Sequence, residues 1–152
     1  MHLTTYLDLL ATAERTLGQS YRAVATGHHV DADVHYTCLR FARYCLDHAD
    51  GLTLFVSRYD RMREAEPERL HPPGLTAARS GPVGLLRDLQ DLYQLGNLVE
   101  ITWTLVGQAA HGARDRDLID LATRNEHDVT AQLAWLRTRM RFAAPQTLLV
   151  AS

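Results

Sequence analysis

The stretch "EAEPERLHPPGLTAARSGP", residues 64–82, lies between two helix-patterned halves of the chain and decides how they are joined. Its prolines and glycines break any continuous helix. Fully extended, at about 3.3 Å per residue, it reaches about 60 Å. A helix of about 30 residues is only about 45 Å long. The linker can therefore run the length of a bundle and start the third helix parallel to the second. A long loop in a simple up-down bundle is the alternative.

Outward from this linker, apolar residues recur with helical period and no period-2 strand pattern stands out. The pattern predicts an all-α, single-domain four-helix bundle with helices over about 3–26, 33–63, 82–111 and 115–143. Gly27 is the expected stop of the first helix. Asp31 or Asp33 is the expected cap of the second. The third starts after Ser80 with Pro82 in its first turn. The fourth opens at Asp115 or Asp117 and ends before Pro145. Short links around "GHHVD" (27–31) and "GAR" (112–114) make antiparallel hairpins. The expected architecture is two hairpins joined by one long crossover between helices 2 and 3.

With 152 residues the chain suffices for one domain with a real core. A net charge of −2 argues against nucleic acid or an anionic membrane as partner, since both select for a basic face. The start "MHLTTYLDLLATAERTL" lacks the basic end and apolar block of a signal peptide. No apolar run of about 18 residues is present. Cys38 and Cys45 are seven apart on one predicted helix, about 10 Å by helical rise, too far for a disulfide. They read as reduced thiols in a cytoplasmic protein.

The inward seams carry the functional signal. Helix 1 gives Leu3, Leu7, Leu10, Glu14, Leu17, Tyr21 and Val24, so an acid points inward among leucines. Helix 2 gives Val34, Cys38, Phe41, Cys45, His48, Leu52, Phe55, Tyr59 and Met62. Helix 3 gives Leu86, Leu89, Tyr93, Gly96, Glu100, Trp103, Gly107 and Ala110. Its second stripe, Leu85, Leu89, Leu92, Val99, Trp103 and Val106, is wholly apolar and competes for the core. Helix 4 gives Ile119, Ala122, Glu126, Val129, Leu133, Leu136 and Met140. Glu14 and Cys45 lie at equal heights from the first link, Glu100 and Glu126 from the second. Buried acids of this kind need neutralising by His48, a metal, water or a proton.

These residues resemble the ferritin-like superfamily of carboxylate-bridged di-metal proteins, whose pattern is a Glu from two helices and Glu-x-x-His from the other two. Glu14 matches the first Glu and Glu100 the third-helix Glu. "CLDH" (45–48) keeps His48 but has Cys45 where the pattern has Glu. "EHDV" (126–129) keeps Glu126 but has Val129 where the pattern has His. The resemblance implies a metal site at Glu14, Cys45, His48, Glu100 and Glu126. Iron, manganese or zinc would sit there, with redox or oxygen-related chemistry. The thiol at 45 favours zinc or a single iron. The degenerate motif leaves a metal-free, non-catalytic module for dimerisation or partner interaction as the second expectation. "RNEHDVTAQLAWLR" (124–137) resembles the last helix of DinB-like bundles less well, since that motif's His positions fall on Asn125 and Val129.

"GHHVDADVH" (27–35) offers His28, His29, Asp31, Asp33 and His35 for a surface metal site, but acidic caps and solvated His at a helix start are the simpler expectation. Leu98, Ile101 and Leu105 occupy the stripe of helix 3 that elsewhere carries charge. The crossover or a second subunit should cover them, and the tail "PQTLLVAS" is apolar too. A homodimer is expected.

Overall fold

A computed structural model of the chain describes residues 2–60 and 73–150. Among them are four α-helices: α1 (Leu3–Gly27), α2 (Ala32–Tyr59), α3 (Gly81–Ala113) and α4 (Arg116–Pro145). A π-helical turn, Gln146–Val150, follows α4. No strand is present among the described residues, and no helix there is long and apolar enough to cross a membrane.

Local chemistry sets these limits. Asp31 stands at the N-cap of α2, with Asp33 in the first turn and Arg58 in the last, as the helix dipole favours. Ser80 precedes α3 in extended backbone, and proline follows in its first turn. The end of α3 lies at Ala113, and Arg114 takes the left-handed conformation with φ 55°. Its N–H donates to His111 O (3.1 Å), and Asp115 N–H donates to Ala110 O (3.0 Å). Those two bonds make a Schellman motif with arginine where glycine is usual. Asp115 then caps α4, its carboxylate accepting from Leu118 N at 3.2 Å.

Two expected ends move. Gly27 belongs to α1, and His28 caps it instead. The fourth helix passes through Pro145 into the π turn, because a proline in the last turn removes only one backbone hydrogen bond. The expected extension of the second helix over 61–63, with Met62, lies outside the described residues.

The side chains fix the packing directions. Thr4 Oγ1 donates to Tyr59 O (2.8 Å), and His35 Nδ1 meets Ala25 O (2.8 Å), so α1 and α2 are antiparallel. Trp103 bonds Glu14 while His28 bonds Asp88, so α1 and α3 are antiparallel. Arg58 reaches Asp115 and Arg139 reaches Asp33, which makes α2 and α4 antiparallel. Helix α1 lies beside α2 and α3, and α4 beside the same two. A Cβ at Gly18 would sit 3.2 Å from Ala42 O and from Cys45 Cβ, so glycine here lets α1 and α2 approach closely.

The core follows the α1 and α2 seams closely. On α3 the wholly apolar stripe is the buried one, which corrects the expected face: Leu85, Leu89, Leu92, Val99, Trp103 and Val106 are buried, whereas Leu86, Tyr93, Glu100 and Gly107 are half-buried. Burying the apolar stripe removes more hydrocarbon from water and leaves Glu100 at an edge. Helix α4 buries Leu118, Ala122, Asn125, Val129, Gln132, Leu133 and Leu136. Relative to the expected seam the face is rotated, bringing two amides inward and moving Glu126 outward.

Segment 73–80 lies against the second half of α1. Leu75 N donates to Ser20 Oγ at 3.0 Å, and Ala78 packs on Gly27. Its end is pinned by Asp88, which is fully buried on α3. The carboxylate accepts from His28 Nε2 (2.8 Å), Arg79 N (2.9 Å) and Arg79 Nη1 (2.6 Å).

Candidate functional site

Each helix places one polar side chain in a single layer near the middle of the bundle. From α1 comes Glu14, fully buried because the seam of leucines and Tyr21 carries it inward. From α2 comes His48, from α3 Trp103 and from α4 Asp128. Glu14 Oε1 accepts from Trp103 Nε1 at 2.7 Å and pairs with His48 Nδ1 at 3.0 Å. The other ring nitrogen, Nε2, meets Asp128 Oδ2 at 3.1 Å. His48 and Trp103 rings meet edge to face, 6.1 Å between centroids.

An imidazole facing carboxylates at both nitrogens must donate from both, and only the imidazolium can do so. Burial pushes the His48 pKa down. The Glu14 and Asp128 carboxylates outweigh it, and the net shift is upward. Asp128 is 46% exposed in its side chain, so one end of the chain of bonds meets solvent and the other ends in the core.

Cys45 sits one turn from His48, fully buried, its thiol donating to Gln132 Oε1 at 3.7 Å. Burial, and then the Glu14 charge, push that thiol well above its ordinary range. Cys38 is pushed up to about 12 by burial and Asp33. Burial thus works against the thiolate at both positions.

The two remaining expected ligands lie elsewhere. Glu100 accepts from Thr130 Oγ1 at 2.8 Å, and Glu126 accepts from Thr104 Oγ1. Both acids are half-buried on the α3–α4 seam, satisfied across it by threonines. The structure thus brings Glu14, Cys45 and His48 together and leaves Glu100 and Glu126 apart from them. Among the described residues no three His, Cys, Asp or Glu side chains form a group able to hold a metal. These residues do not fit the carboxylate-bridged pair of ions that the resemblance implies.

Trp103, Asp128 and Gln132 are the site residues to which seam reasoning gave no role in the site. Trp103 lies on both candidate stripes of α3, so its position was visible but its bond to Glu14 was not. Leu118 and Leu136 fall on one stripe with Asn125, Val129 and Gln132, a signal pointing to the correct face of α4. Comparison with known proteins adds no family, since no family model, curated protein or solved structure matches the chain.

Proposed function

We propose that the chain is a metal-free, non-catalytic helical module of ferritin-like topology that works by association, as a homodimer. The observation that carries this is an apolar strip on α3 and α1 where a bundle normally meets water. Ile101 and Leu105 are 51% and 48% exposed, beside an apolar cleft lined by Leu3, Tyr6, Val106 and Ala109. Leu98 is half-buried and lines a separate cleft with Pro73, Gly74 and Leu75. A second copy is the occupant that would bury the other two.

What supports the topology is direction. Helices α2 and α3 are each antiparallel to α1, which makes them parallel to one another. Tyr59, ending α2, lies beside Thr4, and Asp88 in α3 lies beside His28, so the ends of their connection are at opposite ends of α1. Residues 64–72 of the expected crossover lie outside the described residues. What supports the metal-free reading is that both His48 nitrogens, Glu100 and Glu126 each have protein partners. The competing reading is an iron, manganese or zinc centre with redox chemistry. Two measurements decide between them. Protein purified without chelator or metal-affinity tag should carry no stoichiometric metal; one ion per chain sinks the metal-free reading. Sedimentation should give a dimer that Ile101→Asp shifts toward monomer. A wild-type monomer, or a dimer indifferent to Ile101→Asp, sinks association through this strip.

A further inference from the structure

The charges of the chain are sorted by end. At one end of the bundle α1 finishes and α2 starts, α3 starts beside His28, and α4 finishes with Arg139 on Asp33. The portions nearest that end, residues 18–44, 73–95 and 132–150, hold eight arginines and four aspartates. The remaining described residues hold five arginines and eleven acids. A net charge of −2 averages over these two halves and hides both. All four aspartates at the basic end are engaged: Asp31 and Asp33 by Arg139, Asp88 by His28 and Arg79, and Asp91 by Arg79. Arg22, Arg87 and Arg141 are exposed, and no described acid pairs with them. Each lies within six residues of its helix's end, about 9 Å by helical rise.

Apolar surface gathers at the same end. Eight of the twelve large apolar side chains exposed among the described residues belong to those portions. Val30, in the link between α1 and α2, is 82% exposed, and Leu149, in the π turn, 85%. Val30, Pro82, Phe142 and Pro145 line one cleft of about 720 Å³, so the link, the start of α3 and the end of α4 form a continuous tip. Single apolar side chains on a surface need no partner, but a cluster drawn from three separate segments does.

We propose that this tip docks on the surface of an anionic lipid bilayer, its apolar side chains entering the headgroup layer and its arginines meeting the acidic headgroups. The pairing of the two properties selects this occupant. An apolar protein surface would leave the unpaired cations unanswered, and a small anion would leave the exposed leucines and valines in water. A bilayer with acidic headgroups offers hydrocarbon beneath negative charge and answers both. The acidic half is repelled by the same surface, so the bundle would stand on its tip. No described helix is long and apolar enough to cross the bilayer, which keeps the attachment at its surface. Ile101 and Leu105 lie outside the tip, so the inference does not rest on the dimer.

Co-sedimentation of the full chain with vesicles tests it. The protein should pellet with mixed phosphatidylserine–phosphatidylcholine vesicles and stay in solution with phosphatidylcholine alone. Raising salt from about 0.1 M to about 1 M shortens the Debye length from about 10 Å to about 3 Å and should release it. Arg87→Gln combined with Arg141→Gln should weaken binding about 25-fold, since one arginine near an anionic surface contributes about fivefold. Leu149→Ser should weaken it about tenfold, through the loss of one inserted leucine. These positions are exposed, so the variants should melt with the wild type; the salt series needs no substitution and holds whether or not they do. Absence of pelleting with the phosphatidylserine vesicles overturns the proposal, as does binding indifferent to salt, to the arginine pair or to Leu149→Ser. Equal binding to phosphatidylcholine alone overturns the anionic surface. Salt-sensitive growth beyond a dimer without lipid assigns the tip to the acidic half of a second copy and overturns the bilayer as its occupant.

Discussion

Replacing Glu14 by Gln keeps the side chain's shape and removes its charge, which tests the central layer at the scale of one residue. In the structure that charge faces an imidazolium that has no other buried counter-ion. Glu14→Gln should therefore cost about 2–4 kcal/mol, the range for breaking a buried, hydrogen-bonded pair. The loss should be the same with and without chelator. Glu100→Gln and Glu126→Gln should each cost under about 1 kcal/mol, since an amide still accepts from threonine on a half-exposed seam. Denaturant melts of the three variants check this; equal losses would mean that the acids share one site after all. His48 gives a matching pH prediction. Its folded pKa is raised, so its contribution is fully present below the ordinary value of 6.5 and is lost as pH rises through the raised value. Stability relative to His48→Gln should fall as pH rises above about 6.5. Titration of the ring by NMR should show the upward shift; a flat difference between the two proteins removes the imidazolium. Glu14, Cys45 and His48 were legible in the sequence because they interrupt unbroken apolar seams. The bond partners Trp103 and Asp128 were not, because a seam gives height and face but not which rotamer points across.

Among the elements, the junction between α3 and α4 carries the clearest local conflict. Arg114 holds a left-handed conformation that costs a non-glycine residue roughly 1–2 kcal/mol. Its backbone makes the Schellman bond to His111, which glycine would make equally well. Arg114→Gly should stabilise the protein by about 0.5–1 kcal/mol, the strain relieved less the added chain entropy of glycine. A lower melting temperature would mean that the arginine side chain contributes more than its backbone loses. The hairpin itself was legible from its short link, but the expected end at 111 falls two residues before the observed last helical residue, Ala113. Faces of helices were legible unevenly. Seams of α1 and α2 are unambiguous because their opposite sides are charged. On α3 two stripes are apolar enough to compete, and on α4 the buried amides Asn125 and Gln132 disguise the true face as a polar one. Misjudging those two faces is what placed Glu100 and Glu126 in a common centre with Glu14.

For the molecule as a whole, the chain is fastened to the end of α1 where α3 begins, and Asp88 does this. It is buried at the meeting of three segments: the end of α1 through His28, the backbone and side chain of Arg79, and α3 itself. The unequal link lengths pointed to two hairpins and a crossover, whose residues 64–72 lie outside the described residues. No pattern marked Asp88, because an acid on a long amphipathic helix reads as solvated until a distant histidine is seen to cover it. Asp88→Ala leaves His28 Nε2 and the Arg79 N–H without their acceptor, which should cost about 2 kcal/mol or more. The loss should be local in character. Leu75 and Arg79 are held to the bundle by Ser20 and Asp88, so freeing Arg79 should lower amide-exchange protection across 73–80 and the first turns of α3. Protection around Trp103, two-thirds of the way along α3, should fall only by the global loss. Hydrogen exchange on the wild type and Asp88→Ala checks both parts. Uniform loss along α3 would mean that the fastening and the central layer unfold as one unit, and that the bundle has no separable end.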